Sequence, residues 1–493
     1  MFLQSGVYRE ALFVRAQYRD RLLCSATSQQ PQRSIRVCMQ QPETSSVLKS
    51  AAETLSDRGR ALASRAPPRQ IEWSFTAKQD AYDPQLKPNG YISLLVAENA
   101  LSAGPVLAQF QRERSDVLPR NECLQYDYMF GELRFRKALS QLFREHIFAA
   151  SKGGPASAAN PDNYLCAVGA SAVLDLVFSA LCDDGDAVLI PAPYYPGFDF
   201  DLSCRAKCIP VPVQTALHNH HRLTRDALET ADRTCRASGQ RPRVLLLHSP
   251  GNPTGNILST EELELSIQWC RSHGMHLVSD EAYALSVFQS HAGRFRSVAD
   301  VLAVQGLGND VHVVWTFSKD LCMSGMRCGV LFTENQALLQ AIRAPCLFSS
   351  PSRDTQAVLC RMLSDEQWLH KFFVANQRRL EEAYQVAVQA IQTSLGAEQV
   401  RIYPSQAGFF VWIGLQRFLR EATWEAELEL AERLFREARV LIYPGRVCHA
   451  PEPGWYRCCF SAVEDTQTLQ VAFERIACVL CPSKSSAPSS RVC

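Results

Sequence analysis

Val311-His312-Val313-Val314-Trp315-Thr316-Phe317-Ser318-Lys319-Asp320 is an apolar run that ends on a lysine, and its reading decides the fold. Positions 311–317 have no alternating polar face. Such a run reads as a strand buried on both sides, the kind found in parallel sheets covered by helices. Three other compact runs, 187–190, 243–248 and 276–279, have the same character and are bounded by turn signals. Helical stretches lie between them, including 259–272, where Thr260 before Glu261, Glu262 and Glu264 marks a start. The order predicts an α/β fold: a large domain with a mainly parallel sheet between helices. After about residue 355 the pattern changes. One long helical run, 354–394, precedes strands near 408–413 and 457–460, which predicts a smaller α+β C-terminal domain.

The rest of the chain divides around these two bodies. Residues 1–75 are rich in Gln, Ser and Arg without a hydrophobic period, and are expected to be a disordered extension. Its Arg-rich, acid-poor start also admits a mitochondrial transit peptide, although a cytoplasmic location is the first expectation. Residues 76–125 form an arm, 126–353 the large domain, 354–480 the small one and 481–493 a disordered tail.

Composition narrows the function classes. Of 493 residues, 46% are hydrophobic and 20% charged, as in a globular protein. Basic and acidic residues number 51 and 50, so the net charge of +1 argues against nucleic acid or an anionic membrane as the main partner. The longest apolar stretch, 167–182, contains Asp175 and falls short of a bilayer span, so it reads as a buried helix. The 19 cysteines are scattered, which fits free thiols in a reducing compartment and no metal site.

Chemistry gathers at the ends of the predicted strands, where α/β sheets hold their ligands. Lys319 follows one such end. A desolvated lysine has a lowered pKa and suits Schiff-base formation. Arg327 follows a glycine-containing turn and can return to a phosphate beside it. Asn252 lies in Asn252-Pro253-Thr254-Gly255, a turn first and a hydrogen-bond donor into a cleft second. Asp280 ends another strand, where it is either a helix N-cap or a carboxylate opposite a protonated ring nitrogen. Tyr283 either donates its hydroxyl nearby or packs. Ala170 and Ser171 open a helix whose free N–H groups can bind phosphate. Tyr195 can stack on a flat ring or fill core. Arg457 enters an apolar strand and needs an anion there, from a substrate carboxylate or a structural salt bridge.

Taken together, these motifs in this order resemble the class I aminotransferases of pyridoxal-phosphate fold type I. The resemblance covers roughly residues 80–475 and is closest in wording to 1-aminocyclopropane-1-carboxylate (ACC) synthases and their animal relatives. It is carried by Asn89-Gly90, Val96-Ala97-Glu98-Asn99, the stretch 191–199 (PAPYYPGFD), Ser318-Lys319-Asp320, the stretch 407–412 (AGFFVW) and the stretch 452–457 (EPGWYR). The resemblance implies pyridoxal 5'-phosphate as cofactor and Lys319 as its Schiff-base lysine. It implies Asp280 at the pyridine nitrogen, Asn252 and Tyr283 at the phenolic oxygen, and Tyr195 stacked on the ring. Ala170, Ser171, Ser318 and Arg327 would hold the phosphate, and Glu98 and Arg457 the amino acid substrate. Catalysis would rest on Lys319, Asp280 and Tyr283. A homodimer is implied as well. Three positions depart from the plant enzymes: Met129 where they have a tyrosine, Cys322 where glycine is usual, and Arg446 where they have serine. The implied reaction is α-proton abstraction from an amino acid, S-adenosylmethionine among the candidates. Transamination, β/γ-elimination and a regulatory protein with little turnover remain open.

Overall fold

A computed structural model describes residues 54–65, 69–115 and 121–481 of the chain. Most of the expected disordered extension, residues 1–53, and the expected disordered tail from 482 lie outside the described residues. The chain divides into two compact units, 1–66 and 67–493. In the first, Asp57–Ala63 is a short helix whose N-cap, Ser56, accepts from the Gly59 amide. The second opens with helix α1 (Arg69–Gln79), which buries Gln70, Ser74 and Ala77. Its first seven residues fall inside the stretch expected to be disordered, so ordered structure starts earlier than the composition suggests.

A seven-stranded sheet organises the larger part. Its strands are β1 (Tyr164–Ala167), β2 (Ala187–Ala192), β3 (Ile209–Gln214), β4 (Pro242–His248), β5 (His276–Asp280), β6 (Val311–Thr316) and β7 (Gly329–Thr333). The spatial order is β1-β7-β6-β5-β4-β2-β3. The pairings from β3 through β6 are parallel, and only β7 runs against its neighbours. The expected mainly parallel sheet is present.

Side-chain alternation explains why these strands are apolar throughout. Leu245, Leu247, Leu277, Val313 and Trp315 pack into a core on one face. Val244, Leu246, Val278 and Val314 pack into a core on the other. Each buried Val or Leu contributes about 1.5–3 kcal/mol, so a polar residue on either face would be costly. Helix α2 (Ala170–Leu181) covers the second face with Val173, Leu174 and Val177. After β2 comes the short helix α3 (Gly197–Ser203). Helix α4 (Thr260–His273) starts at Thr260, with Ser259 as its N-cap in a capping box with Glu262.

The long C-terminal helical run is two helices. Arg353–Leu363 stops at Ser364, and α5 (Glu366–Leu395) restarts where Asp365 accepts from the Trp368 amide. A four-stranded antiparallel sheet follows, with strands β8 (Arg401–Ile402), β9 (Phe410–Gly414), β10 (Tyr443–Pro444) and β11 (Trp455–Cys459) in the order β10-β11-β9-β8. Leu380, Ala383, Ala387 and Ile391 of α5 pack with Val411, Ile413 and Tyr456. Ile92–Ser93 pairs with Val440–Leu441, tying the arm to this smaller body.

Candidate active site

Parallel pairing brings the carboxyl ends of β4, β5 and β6 level. His248 is the register partner of Asp280, and Asp280 of Val314. The loop bearing Asn252, the carboxylate of Asp280 and the short turn bearing Lys319 therefore leave the same edge of the sheet.

Lys319 sits in a single helical turn, Phe317–Asp320, capped by the Thr316 hydroxyl. Its Nζ donates to the carbonyl of Ala97 at 2.7 Å. Burial pulls the ammonium down to about 8, and it lies within electrostatic reach of Cys459, Arg457, Glu98 and Asp280. The ammonium still predominates at physiological pH, but a substantial fraction of free amine is available there. Asp320 holds the turn from below: its carboxylate accepts from the Leu285 amide at 3.0 Å, the Ser286 hydroxyl at 2.7 Å and the Trp315 indole at 2.8 Å.

Asp280 has one free oxygen. Oδ1 accepts from the Ala282 amide at 3.0 Å, and residues 282–285 form a turn instead of a helix. The N-cap alternative does not apply. Burial raises the carboxyl to about 7, the response of an acid awaiting a positive partner. Tyr283 packs edge-on against Phe409, with ring centroids 5.0 Å apart. Its hydroxyl is nonetheless buried without a hydrogen-bond partner among the described residues, and burial lifts its pKa far above the usual phenol range.

Asn252 is oriented by Arg457, whose Nη1 donates to Asn252 Oδ1 at 3.0 Å. A guanidinium only donates, so the carboxamide presents its oxygen to Arg457 and keeps its Nδ2 free to donate. Arg457 is 3% exposed and lies 4.5 Å from the Phe410 ring centroid and 4.8 Å from that of Tyr443. Its Nη2 donates to Leu95 O at 2.5 Å, and its Nε has no partner. No carboxylate of the described residues pairs with it, which removes the structural salt bridge as its explanation. A buried cation in this state calls for an external anion.

The phosphate-type cradle lies at the start of α2. Gly169, the N-cap, has φ 98° and offers no side chain; its carbonyl accepts from the Ala172 and Val173 amides, which leaves those of Ala170 and Ser171 for a ligand. A Cβ on Gly169 would lie 2.5 Å from Arg327 Nη2, and the positive φ is one that L side chains rarely adopt, so glycine favours this close approach. Arg327 itself has φ 51° and donates to Val168 O at 3.1 Å and Ser324 O at 3.0 Å. Ser171 donates to Asp201 at 2.9 Å. Ser318 is 7% exposed and shares a hydrogen bond with Thr316 at 3.0 Å. Tyr195 is half-exposed and lies within electrostatic reach of Asp280, Asp201 and Arg457. Glu98 Oε1 accepts weakly from Ser324 Oγ at 3.5 Å, while the Glu98 carbonyl accepts from Ser461 at 2.8 Å.

Of the eleven residues singled out from the sequence, Lys319, Asp280, Tyr283, Tyr195, Asn252, Glu98 and Arg457 are joined by hydrogen bonds or short-range electrostatics, and Ser171 and Arg327 meet at Asp201. Asp201, Asp320, Cys459 and Tyr443 join them without having been singled out. The three departures also acquire a physical setting. Cys322 has φ 55°, a left-handed conformation that favours glycine. Arg446 turns to Glu425 at 3.4 Å, on the surface. Tyr128 is 59% exposed, and the Met129 carbonyl accepts from the Cys346 thiol at 3.4 Å.

These residues fit pyridoxal phosphate on the structure alone. They offer an anion cradle at a helix start, an unpaired carboxylate oxygen and an orphaned phenol. They also offer a free carboxamide donor and a lysine whose pKa burial has lowered. Comparison with known proteins agrees. A model of the aminotransferase class I and II family matches residues 92–476. The chain is 34% identical over 410 residues to 1-aminocyclopropane-1-carboxylate synthase 7 of Arabidopsis thaliana, covering 81% of this chain and 89% of that protein. It is 36% identical over 420 residues to synthase 3 of Oryza sativa subsp. japonica, covering 82% and 90%. The fold is shared with the aspartate aminotransferase of Thermus thermophilus solved with maleate, at TM-score 0.69 and 22% identity, over 86% of this chain and 99% of that one. The chain belongs to the class I and II aminotransferase family and is a pyridoxal-phosphate-dependent enzyme.

Proposed function

We propose that the protein removes the α-proton of an amino acid in the manner of an ACC synthase, with Lys319 as the base. The observation that carries this is the placement of the Lys319 amine, its pKa lowered to about 8 by burial, within reach of both Asp280 and Arg457. When bound, pyridoxal phosphate supplies an electron sink for the charge left at the α-carbon. Ala170, Ser171, Ser318 and Arg327 would hold its phosphate, Tyr195 would stack on its ring, and Asn252 and Tyr283 would donate to its phenolic oxygen. Asp280 would face the ring nitrogen, and its ionised form would keep that nitrogen protonated.

The chain's own groups do the rest. Arg457 fixes the substrate carboxylate with the N–H groups that no protein anion occupies. Lys319 Nζ accepts the α-proton and returns it, a role suited to a base with a pKa near ambient pH. Glu98 adds negative charge to the same space, which favours a cationic side chain such as the sulfonium of S-adenosylmethionine. The likeness to the two plant synthases supports the same substrate. A second copy of the chain is the expected partner, and Met129 then brings no hydroxyl where the plant enzymes bring a tyrosine.

The test is product identification. Purified protein is given S-adenosylmethionine alone, then a panel of amino acids with a keto acid acceptor. Release of methylthioadenosine with ACC supports the proposal. Keto-acid-dependent turnover makes the protein an aminotransferase, amine loss with side-chain cleavage makes it a lyase, and no turnover with cofactor retained points to a regulatory role.

A further inference from the structure

The phosphate-type cradle contains a carboxylate. Ser171, the second residue of α2, donates its hydroxyl hydrogen to Asp201 Oδ2 on α3 at 2.9 Å. A serine hydroxyl has one hydrogen and two lone pairs. While Asp201 is ionised, that hydrogen is committed and the hydroxyl cannot also donate to an anion at the helix start. An incoming dianion would in addition face the negative charge of Asp201. Both obstacles disappear when Asp201 carries a proton. Its O–H then donates to Ser171 Oγ, and the Ser171 hydrogen is released toward the anion.

We infer that binding of a phosphate dianion at the start of α2 is linked to uptake of one proton by Asp201. The inference rests on the reading of Gly169, Ala170, Ser171 and Arg327 as the phosphate cradle, and goes beyond it by giving Asp201 a role. The surroundings favour the protonated form. Burial raises the carboxyl to about 6, and Asp175 on α2 pushes in the same direction. Asp175 is itself paired with Arg205 at 3.3 Å. Arg327 opposes the rise, as does the Ser171 hydrogen bond. Asp280 at the end of β5 and Tyr195 in the turn before α3 also interact with Asp201. An arriving phosphate takes up the positive field of Arg327 and adds negative charge of its own, so the proton is bound more tightly in the complex.

Sulfate is the probe, because it stays a dianion from pH 5 to 9 and forms no bond to Lys319. It is titrated calorimetrically into the full chain freed of cofactor, at pH 7.5 in two buffers of different ionisation enthalpy. The expected result is uptake of close to one proton per sulfate, with affinity falling by up to about tenfold per pH unit above pH 6.5. Asp201→Asn, whose amide permanently donates to Ser171, should lose the uptake and bind sulfate at least about tenfold more tightly than wild type at pH 8.5. Ser171→Ala, which removes the relay without touching the acid, should lower both uptake and affinity and serves if Asp201→Asn does not fold. No uptake by the wild type, or equal uptake by wild type and Asp201→Asn, overturns the inference. Arg327→Ala separates the two levels. If it leaves sulfate binding intact, the cradle reading fails and the inference with it. If it abolishes binding while Asp201→Asn behaves as wild type, the cradle stands and the inference alone fails.

Discussion

Arg457 and Asn252, 205 residues apart, are joined by a 3.0 Å hydrogen bond that links the C-terminal sheet to the loop after β4. The bond turns the carboxamide so that its N–H₂ is left to donate, and it steadies a guanidinium that has no anion of its own.

Removing that guanidinium should separate substrate from cofactor. Arg457→Ala is expected to raise KM for the amino acid substrate roughly 10- to 100-fold, the loss of a charge-assisted pair. The visible absorbance of the lysine-bound cofactor should survive. Steady-state kinetics and an absorption spectrum on the same sample check both halves, and an unchanged KM would remove Arg457 from the substrate site.

Gly169→Ala should act on the cofactor instead. The added methyl would meet Arg327 Nη2 at 2.5 Å in a backbone conformation that L side chains rarely adopt. Cofactor affinity, measured by equilibrium dialysis, is expected to fall at least about tenfold, with far-ultraviolet circular dichroism unchanged. Wild-type affinity would mean that Arg327 does not need this approach.

Much of this was legible because it was local. The runs that became β4, β5 and β6 place apolar residues on both faces, as burial on two sides demands, and Asn252, Asp280 and Lys319 stand at or just past their ends. β3 was missed because Pro210 and Pro212 interrupt its text. As the edge strand it tolerates residues without an N–H, a fact visible only once the strand order is known. The break at Ser364-Asp365 was missed because apolar periodicity continues across it, while the side chain of Asp365 caps the next helix. Asp201 could not have been paired with Ser171 from the text, since the two sit on different helices.

The buried acid and base should leave a mark on stability. In the cofactor-free protein Asp280 is raised from 3.8 to about 7. Its folded form binds the proton more tightly than the unfolded chain, so its contribution is full below pH 4 and lost as pH rises through 7. Lys319 is lowered from 10.5 to about 8, so the folded form resists its charge and stability recovers between pH 8 and 10.5. Asp280→Asn should therefore raise the Tm of cofactor-free protein at pH 8 by about 2–5 °C and leave it unchanged near pH 4. Thermal scans across that range check the sign, and a gain at pH 4 equal to that at pH 8 would assign the effect to packing instead.

In the proposed reaction, Lys319 is the residue on which cofactor attachment, proton transfer and substrate placement converge. Borohydride reduction of the protein loaded with pyridoxal phosphate, followed by proteolysis and peptide mass spectrometry, tests this directly. The account predicts a reduced pyridoxyl-phosphate adduct on Lys319, absent from a Lys319→Ala sample that has also lost its visible absorbance. A stoichiometric adduct on another lysine, or absorbance that survives the substitution, would contradict it.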